Sequence, residues 1–404
     1  MTDIPASPAR KPPHILTLVA LVSLSTMAMN IFLPSLPSLA VWYETDAQTV
    51  ARAVTLFLAV NATLQLVIGP LSDRFGRRPV ILGGLAIFTV ASVGCVFAPD
   101  VETFLAMRMV QASVVVAMAL SRAVIRDLYE QDKAASMLGY VTMGMSVVPM
   151  IAPFFGGWLD GAFGWQASFW VMAIGGVAMF ALTWVDLGET APMRGGSFRA
   201  QVAEYPELLR SPRFWGYCLT SAFASGTFFA YLGGAPFVGS QVYGLSPVAL
   251  GAFFGAPAVG YLVGNGLSGR FSQRFGVDAM ILTGAVGQAA GLALLLVLTI
   301  LGFDSPYVFF GLMSFLGLGN GLVLPNATAG MLSVRPHLAG TASGLGGAMM
   351  IGGGALLSEL AGHLLALGGG ALPLIALMVV SGFIAVGLVL LTIRRNRRVG
   401  QASG

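Results

Sequence analysis

The chain has 404 residues, of which 56% are hydrophobic and 9% charged, and it carries a net charge of +4. An ordinary soluble domain is about 25% charged, so this composition, with a mean hydropathy of +0.83, excludes a soluble enzyme or binding domain and makes the lipid bilayer the solvent. The positive charge does not point to nucleic acid as a partner, because the basic residues collect where apolar runs end and report topology instead.

Met1 to Pro13 is polar and reads as a cytoplasmic tail at residues 1–13. With about 20 apolar residues as the unit of a span, twelve follow, near 14–36, 49–72, 79–98, 102–122, 134–158, 165–186, 213–239, 246–270, 278–301, 306–332, 339–363 and 371–393. The first is read as an uncleaved helix and contains Asn30 just before Phe32, Leu33 and Pro34. The second carries Asn61 and Gln65, four apart and so on one helix face.

Between spans two and three the apolar sequence breaks into Gly69–Leu82, GPLSDRFGRRPVIL. Asp73 is its lone acid among Arg74, Arg77 and Arg78, and Gly69 and Gly76 permit close approach or a sharp turn. Arginines at the end of an apolar helix mark a cytoplasmic loop, since they resist translocation. A shifted copy, Leu267 to Gly276, aligns Arg274, Phe275 and Gly276 with Arg74, Phe75 and Gly76. The chain therefore reads as two similar halves, a pattern suited to two bundles rocking about a central site.

The fourth span holds Arg108 and Gln111 and ends in SRAVIRDLY, Ser121 to Tyr129. An arginine at a helix centre costs about 2.5–3.5 kcal/mol on insertion scales, so Arg108 either faces a cavity or snorkels toward Asp100 and Glu102 at the outer surface. Gln111 could extend a polar line with Asn61 and Gln65 toward that cavity, or the three amides could be interhelical glue. The fifth span contains Gly139, Pro149, Pro153, Gly156 and Gly157. A linker at residues 187–212 then separates a six-helix bundle at 14–186 from a second at 213–393, and residues 394–404 form a second cytoplasmic tail.

In the second half, the glycines of spans ten and eleven, from Gly317 to Gly354, are close-packing surfaces; no strand precedes them as a dinucleotide loop requires. Glu359 and His363 lie four apart near the outer end of span eleven. Methionines 27, 29, 143, 145 and 150 read as packing, with an adaptable cavity wall as the alternative. Cys95 and Cys218 fall inside spans and read as small packing residues, and no metal or other cofactor is expected. The scattered His14, His337 and His363 make no catalytic cluster, so no enzyme activity is expected. An N-inside arrangement places nineteen of the 21 Lys and Arg residues on the cytoplasmic side, Arg52 and Arg108 being the exceptions.

These features together resemble the major facilitator superfamily: six plus six spans, the GPLSDRFGRR turn and its degraded copy. The RAVIRDLY run resembles the Bcr/CflA drug-exporter branch, and the Pro and Gly residues of span five resemble the antiporter motif, although Val148 and Ala152 stand where that motif has glycines. The resemblance implies an all-α fold of twelve transmembrane helices in two pseudo-symmetric bundles. It also implies a conformational latch at Gly69, Asp73, Arg74, Gly76, Arg77 and Arg78, and a substrate or coupling role for Arg108. Relatives in this branch carry an aspartate where this chain has Asn30, which cannot hold a proton, so coupling would need another group. Glu359 with His363 is the nearest substitute in the sequence.

The expected function is export of small amphiphilic or aromatic compounds across a bacterial cytoplasmic membrane by alternating access, driven by proton antiport. The alternative is a transporter of one endogenous metabolite. Expected partners are the small-molecule substrate, protons and lipid, with the chain acting as a monomer.

Overall fold

The computed structural model describes residues 13–129, 131–190, 206–335 and 338–402, and the regular structure among them is helical. Twelve helical spans alternate in direction. The first half comprises α1 (Ile15–Trp42), α2 (Ala47–Phe75), α3 (Arg77–Val96), α4 (Val101–Leu128), α5 (Gln131–Phe163) and α6 (Gln166–Asp186). The second comprises α7 (Pro212–Phe237), α8 (Pro247–Phe275), α9 (Val277–Ile300), α10 (Pro306–Val334), α11 (Ala339–Ala366) and α12 (Leu372–Ala402).

Among the described residues ten helices are long and apolar enough to cross a membrane. The two predicted spans beyond those ten correspond to α5, 33 residues long, and α7, 26 residues long. Length is not what sets them apart. Gly, Ser and Thr lower the hydropathy of α7, and those small residues, among them Ser221, Ser225, Gly226 and Thr227, are buried against neighbouring helices.

Local chemistry sets the helix ends. Asp46 caps α2 by accepting from Thr49 N at 2.8 Å, and Asp100 caps α4 by accepting from Thr103 N at 2.7 Å. Proline breaks α1: after Asn30 the chain passes through a 3-10 turn at Leu33–Ser35, then resumes as Leu36–Trp42, with Pro34 and Pro37 at the restarts. The bends between α2 and α3 and between α8 and α9 each rest on one glycine, Gly76 at φ 96° and Gly276 at φ 83°. The aligned copy in the sequence is thus a repeated backbone turn.

Helices of each half pack chiefly on one another, α1 on α5, α3 on α6, α8 on α10 and α7 on α11 and α12. The halves meet along α2 with α11 and along α5 with the start of α8. The apolar cores reveal an asymmetry. At the end remote from the termini, residues of both halves share one core, from Phe32 and Phe57 to Tyr231, Phe310 and Leu374. At the terminal end the second half has a separate core of its own, including Phe214, Ile281, Val323 and Val389. The molecule is closed across the halves at one end and divided at the other.

The glycines of the second half are contact surfaces, as expected. A Cβ on Gly317 would meet Tyr261 N at 2.7 Å, one on Gly321 would meet Asn265 N at 2.7 Å, and one on Gly319 would meet Gly284 O at 2.8 Å. Cys95 and Cys218 are free and buried.

Candidate functional site

Arg108 organises the interior of the first half. Its side chain has no exposed surface, so in this state it reaches neither an open cavity nor the membrane surface. The guanidinium lies over the ring of Phe32 at 4.1 Å and that of Phe57 at 4.5 Å, with Phe169 at 6.0 Å. It donates to Gln111 Oε1 and, at 3.4 Å, to Ala28 O; Gln111 in turn donates to Ser92 Oγ at 2.7 Å. Among the described residues no carboxylate lies within 4.0 Å of it. A buried cation held by ring faces and neutral oxygens retains its charge without a permanent counter-ion.

Asn30 lies nearby in the chain path but outside this cluster: it is buried and its amide donates to Thr26 O at 2.7 Å. Asn61 and Gln65 form a second cluster on α2, with Gln65 Nε2 donating to Asn61 Oδ1 at 2.8 Å. This pair lies at the seam between halves, since a Cβ on Gly347 of α11 would come within 2.8 Å of Gln65 Oε1. The predicted polar line is therefore two separate groups, Arg108 with Gln111 inside the first half and Asn61 with Gln65 against the second.

The basic turn is tied to its own half. Arg77 pairs with Asp73 at 2.6 Å and, through Nε, with Asp127 at 3.0 Å, and it also donates to Ser72 Oγ. Glu189 accepts from the backbone N–H of Arg77 at 2.8 Å and of Arg78 at 3.3 Å, placing a carboxylate on the start of α3. Arg78 lies over the Trp184 ring at 5.0 Å, while Arg74 is exposed beside Phe75. Gly69 has open space around it. Sequence reasoning missed Glu189 and Asp127. The aspartate of the RDLY run was visible as a motif, whereas nothing local marks Glu189.

In the second half the equivalent helix start carries its own acid. Asp278 accepts from Tyr217 Oη at 2.7 Å and from Asn396 Nδ2 at 2.8 Å, joining α7, α9 and α12.

On α5, Pro149, Pro153, Gly156 and Gly157 lie on the part that approaches both α1 and α8. Gly156 packs on the Ile31 carbonyl where α1 breaks, and Gly157 on Pro247 and Gly251 of α8. Gly139 lies on α5 outside the described side chains, as do Met143, Met145 and Met150. At the end remote from the termini, Arg52 of α2 pairs with Glu359 of α11 at 3.3 Å and Gln48 meets His363 at 3.4 Å. Glu359 and His363 thus each bridge to the first half. Beside them is a cleft of about 770 Å³ between the halves, lined by Val41, Gln48, Phe237, Val242 and Leu365 among others.

Residues 18–359, and in a second match 243–403, fit the family described as Major Facilitator Superfamily. The chain belongs to the major facilitator superfamily. Members of this family are transporters of membranes, which agrees with ten apolar helices of spanning length among the described residues and makes this a multi-pass protein of the bacterial inner membrane. Similar relatives include a chloramphenicol resistance protein of Pseudomonas aeruginosa, 29% identical over 343 residues, covering 83% of this chain and 81% of the relative. A bicyclomycin resistance protein homolog of Haemophilus influenzae is 29% identical over 86% of this chain and 88% of its own. Multidrug resistance protein D of Escherichia coli is 29% identical over 92% and 93%. Among solved structures, a bacterial homolog to the human lysosomal transporter Spinster, inward-facing and occupied, superposes with a TM-score of 0.72 at 16% identity, covering 96% of this chain and 98% of that one. That likeness concerns the family fold.

Proposed function

We propose that the protein exports small amphiphilic or aromatic compounds from the bacterial cytoplasm by alternating access, driven by protons. The observation that carries this reading is the similarity, over more than four-fifths of both chains, to relatives named for chloramphenicol, bicyclomycin and multidrug resistance. The divided core supports the mechanism: two bundles, residues 14–186 and 213–393, joined at one end and separate at the other, need only rock to exchange which end is open.

In this reading both termini are cytoplasmic, since the arginine-rich turns and the terminal arginines all lie at the divided end. The state described is then closed toward the outside. Gln65 and Asn61 face the seam along which a compound would pass, and Arg108 is the buried coupling cation. Its charge is held by ring faces and amides that a proton or a substrate anion could outcompete. The Asp73 turn serves as the latch of the cytoplasmic side. In the described state its arginine is occupied by Asp73 and Asp127 of the same half, leaving the bundles free to part. The chain functions as a monomer in lipid, and its chemistry is transport without catalysis.

The test is accumulation of a panel of drugs and dyes in inverted vesicles under an imposed pH gradient. Gradient-dependent accumulation that Arg108→Ala abolishes is the expected result. Correct insertion with no panel compound accumulating would remove drug export from consideration.

A further inference from the structure

Three charged side chains are buried among the described residues: Arg77, Arg108 and Asp160. Arg77 has two carboxylates and Arg108 has aromatic faces. Asp160, 8% exposed, has one hydroxyl donor among the described side chains. Its Oδ2 accepts from Ser38 Oγ at 2.7 Å, while the buried Ser35 Oγ, on the same broken part of α1, makes no hydrogen bond among them.

The position of Asp160 gives this arrangement a consequence. It sits near the outer end of α5, and both serines belong to the broken outer part of α1. One turn before it Gly157 packs on Pro247 and Gly251 of α8, and beside it a Cβ on Gly161 would meet Val248 Cγ2 at 2.9 Å. The Leu33–Ser35 turn packs on the same start of α8. The carboxyl is therefore at the junction where α1, α5 and the second half close the outer seam.

Among the described residues, no charge on the neighbouring helices offsets it. From Ile15 to Trp42 α1 has no titratable group, and the first turns of α8, Pro247–Phe253, have none. Arg270 and Arg274 of α8, Asp186 of α6, and Arg122 and Asp127 of α4 are at the cytoplasmic end, while Glu102 at the outer end of α4 is exposed. Tyr261 of α8 donates no bond to it among those described, and Arg108 is engaged with Gln111 and Ala28. An ionised carboxylate taken out of water with no cation is costly, whereas the neutral acid is not.

We propose that Asp160 is a proton-binding site of the outer gate: a proton taken from the outer solution neutralises the carboxyl and thereby closes the seam between α5, α1 and α8. Opening the seam withdraws α8 and returns the group to water, where it ionises. Protonation then biases the outward-to-inward step. The proton is taken from and returned to the outer solution, so Asp160 gates the seam in response to outer pH and carries no proton across the membrane. This rests on the alternating-access reading above, and its test needs no transported compound.

The full chain, in lipid nanodiscs and with Cys95→Ser and Cys218→Ser, would carry nitroxide labels at Val41→Cys and Val242→Cys. These positions are exposed on opposite walls of the outer cleft. Label–label distances are read by pulsed electron resonance from about pH 9 to about pH 5, a range wide enough to catch a displaced carboxyl. The expected result is a short-distance, closed population whose ratio to the open one rises up to about tenfold per pH unit on acidification. In Asp160→Asn the closed population should dominate at every pH. Ser38→Ala, which removes a donor to the ionised form, should move the midpoint to higher pH by about one unit.

A distance distribution in the parent chain that ignores pH overturns the proposal. So does an unchanged pH profile in Asp160→Asn or, if that variant does not fold, in Ser38→Ala. Drug accumulation with a pH-insensitive seam would leave export standing and remove Asp160; a pH-dependent seam with no drug accumulation would do the reverse.

Discussion

Gly76 and Gly276 occupy the same backbone conformation, φ 96° with ψ 154° and φ 83° with ψ 159°, at equivalent bends of the two halves. This region is open essentially to glycine alone, and another residue pays about 1–3 kcal/mol there. The surroundings differ. A Cβ on Gly76 would lie 2.8 Å from Glu189 Cδ, whereas Gly276 has open space. Gly76→Ala should therefore lower the thermal unfolding midpoint in detergent more than Gly276→Ala does. Equal losses would mean that Glu189 swings aside at little cost.

Arg108→Met separates stability from function. Replacing a buried charge with an apolar side chain of similar length is often neutral or stabilising, and Met would still fill the space between Phe32 and Phe57. Unfolding temperature is expected to hold or rise, while gradient-driven accumulation falls at least about tenfold. A variant that transports normally would reduce Arg108 to a packing residue.

At the turn, Asp127→Asn removes one of the two carboxylates on Arg77, and Asp73→Asn removes the other. A hydrogen bond to a charged group contributes about 1.5–3 kcal/mol, and the half-exposed Asp73 belongs below that range. Asp127→Asn should cost more stability than Asp73→Asn. Asp73→Asn should reduce transport with expression and insertion intact; full activity would remove the latch.

The Arg52–Glu359 pair crosses the outer seam, with both side chains well exposed. Exposed pairs contribute about 0.2–1 kcal/mol, enough to shift an open–closed equilibrium by a small factor. Arg52→Glu should increase outer opening as read by the spin-label distances, and Arg52→Glu with Glu359→Arg should restore it. If the double variant stays open, the pair is incidental.

The backbone N–H of Thr49, and then its hydroxyl, hold the Asp46 carboxyl below its usual range. Its folded value is depressed, so the stabilisation of α2 is present above about pH 4 and is lost as pH falls through the folded value. Asp46→Asn should lower the unfolding midpoint near pH 7 and converge with the parent once the pH has fallen below the depressed folded value. Parallel curves over that whole range would mean that the cap contributes no charge-dependent term.

Helix number, the doubled basic turn and the family were legible in the sequence because hydropathy, charge placement and glycine position are local properties. The separation of Asn61 and Gln65 from Arg108 and Gln111 was not legible. Helical spacing tells which residues share a face but not which neighbour that face meets. The sequence offered Arg108 a cavity or the membrane surface; the fold placed it between two phenylalanine rings from different helices.

By itself, then, the sequence determined that this is a twelve-span protein of two similar halves, because each span must be apolar over its own length whatever it touches. Only the tertiary structure decided which acids answer which charges. Glu189 reaches Arg77 across 112 residues and Asp127 across 50, and Asp160 receives the hydroxyl of Ser38 across 122, with no ion-pair partner among the described residues. Such pairings depend on how helices distant in the chain are brought together, and in a membrane interior they fix what each buried charge can do.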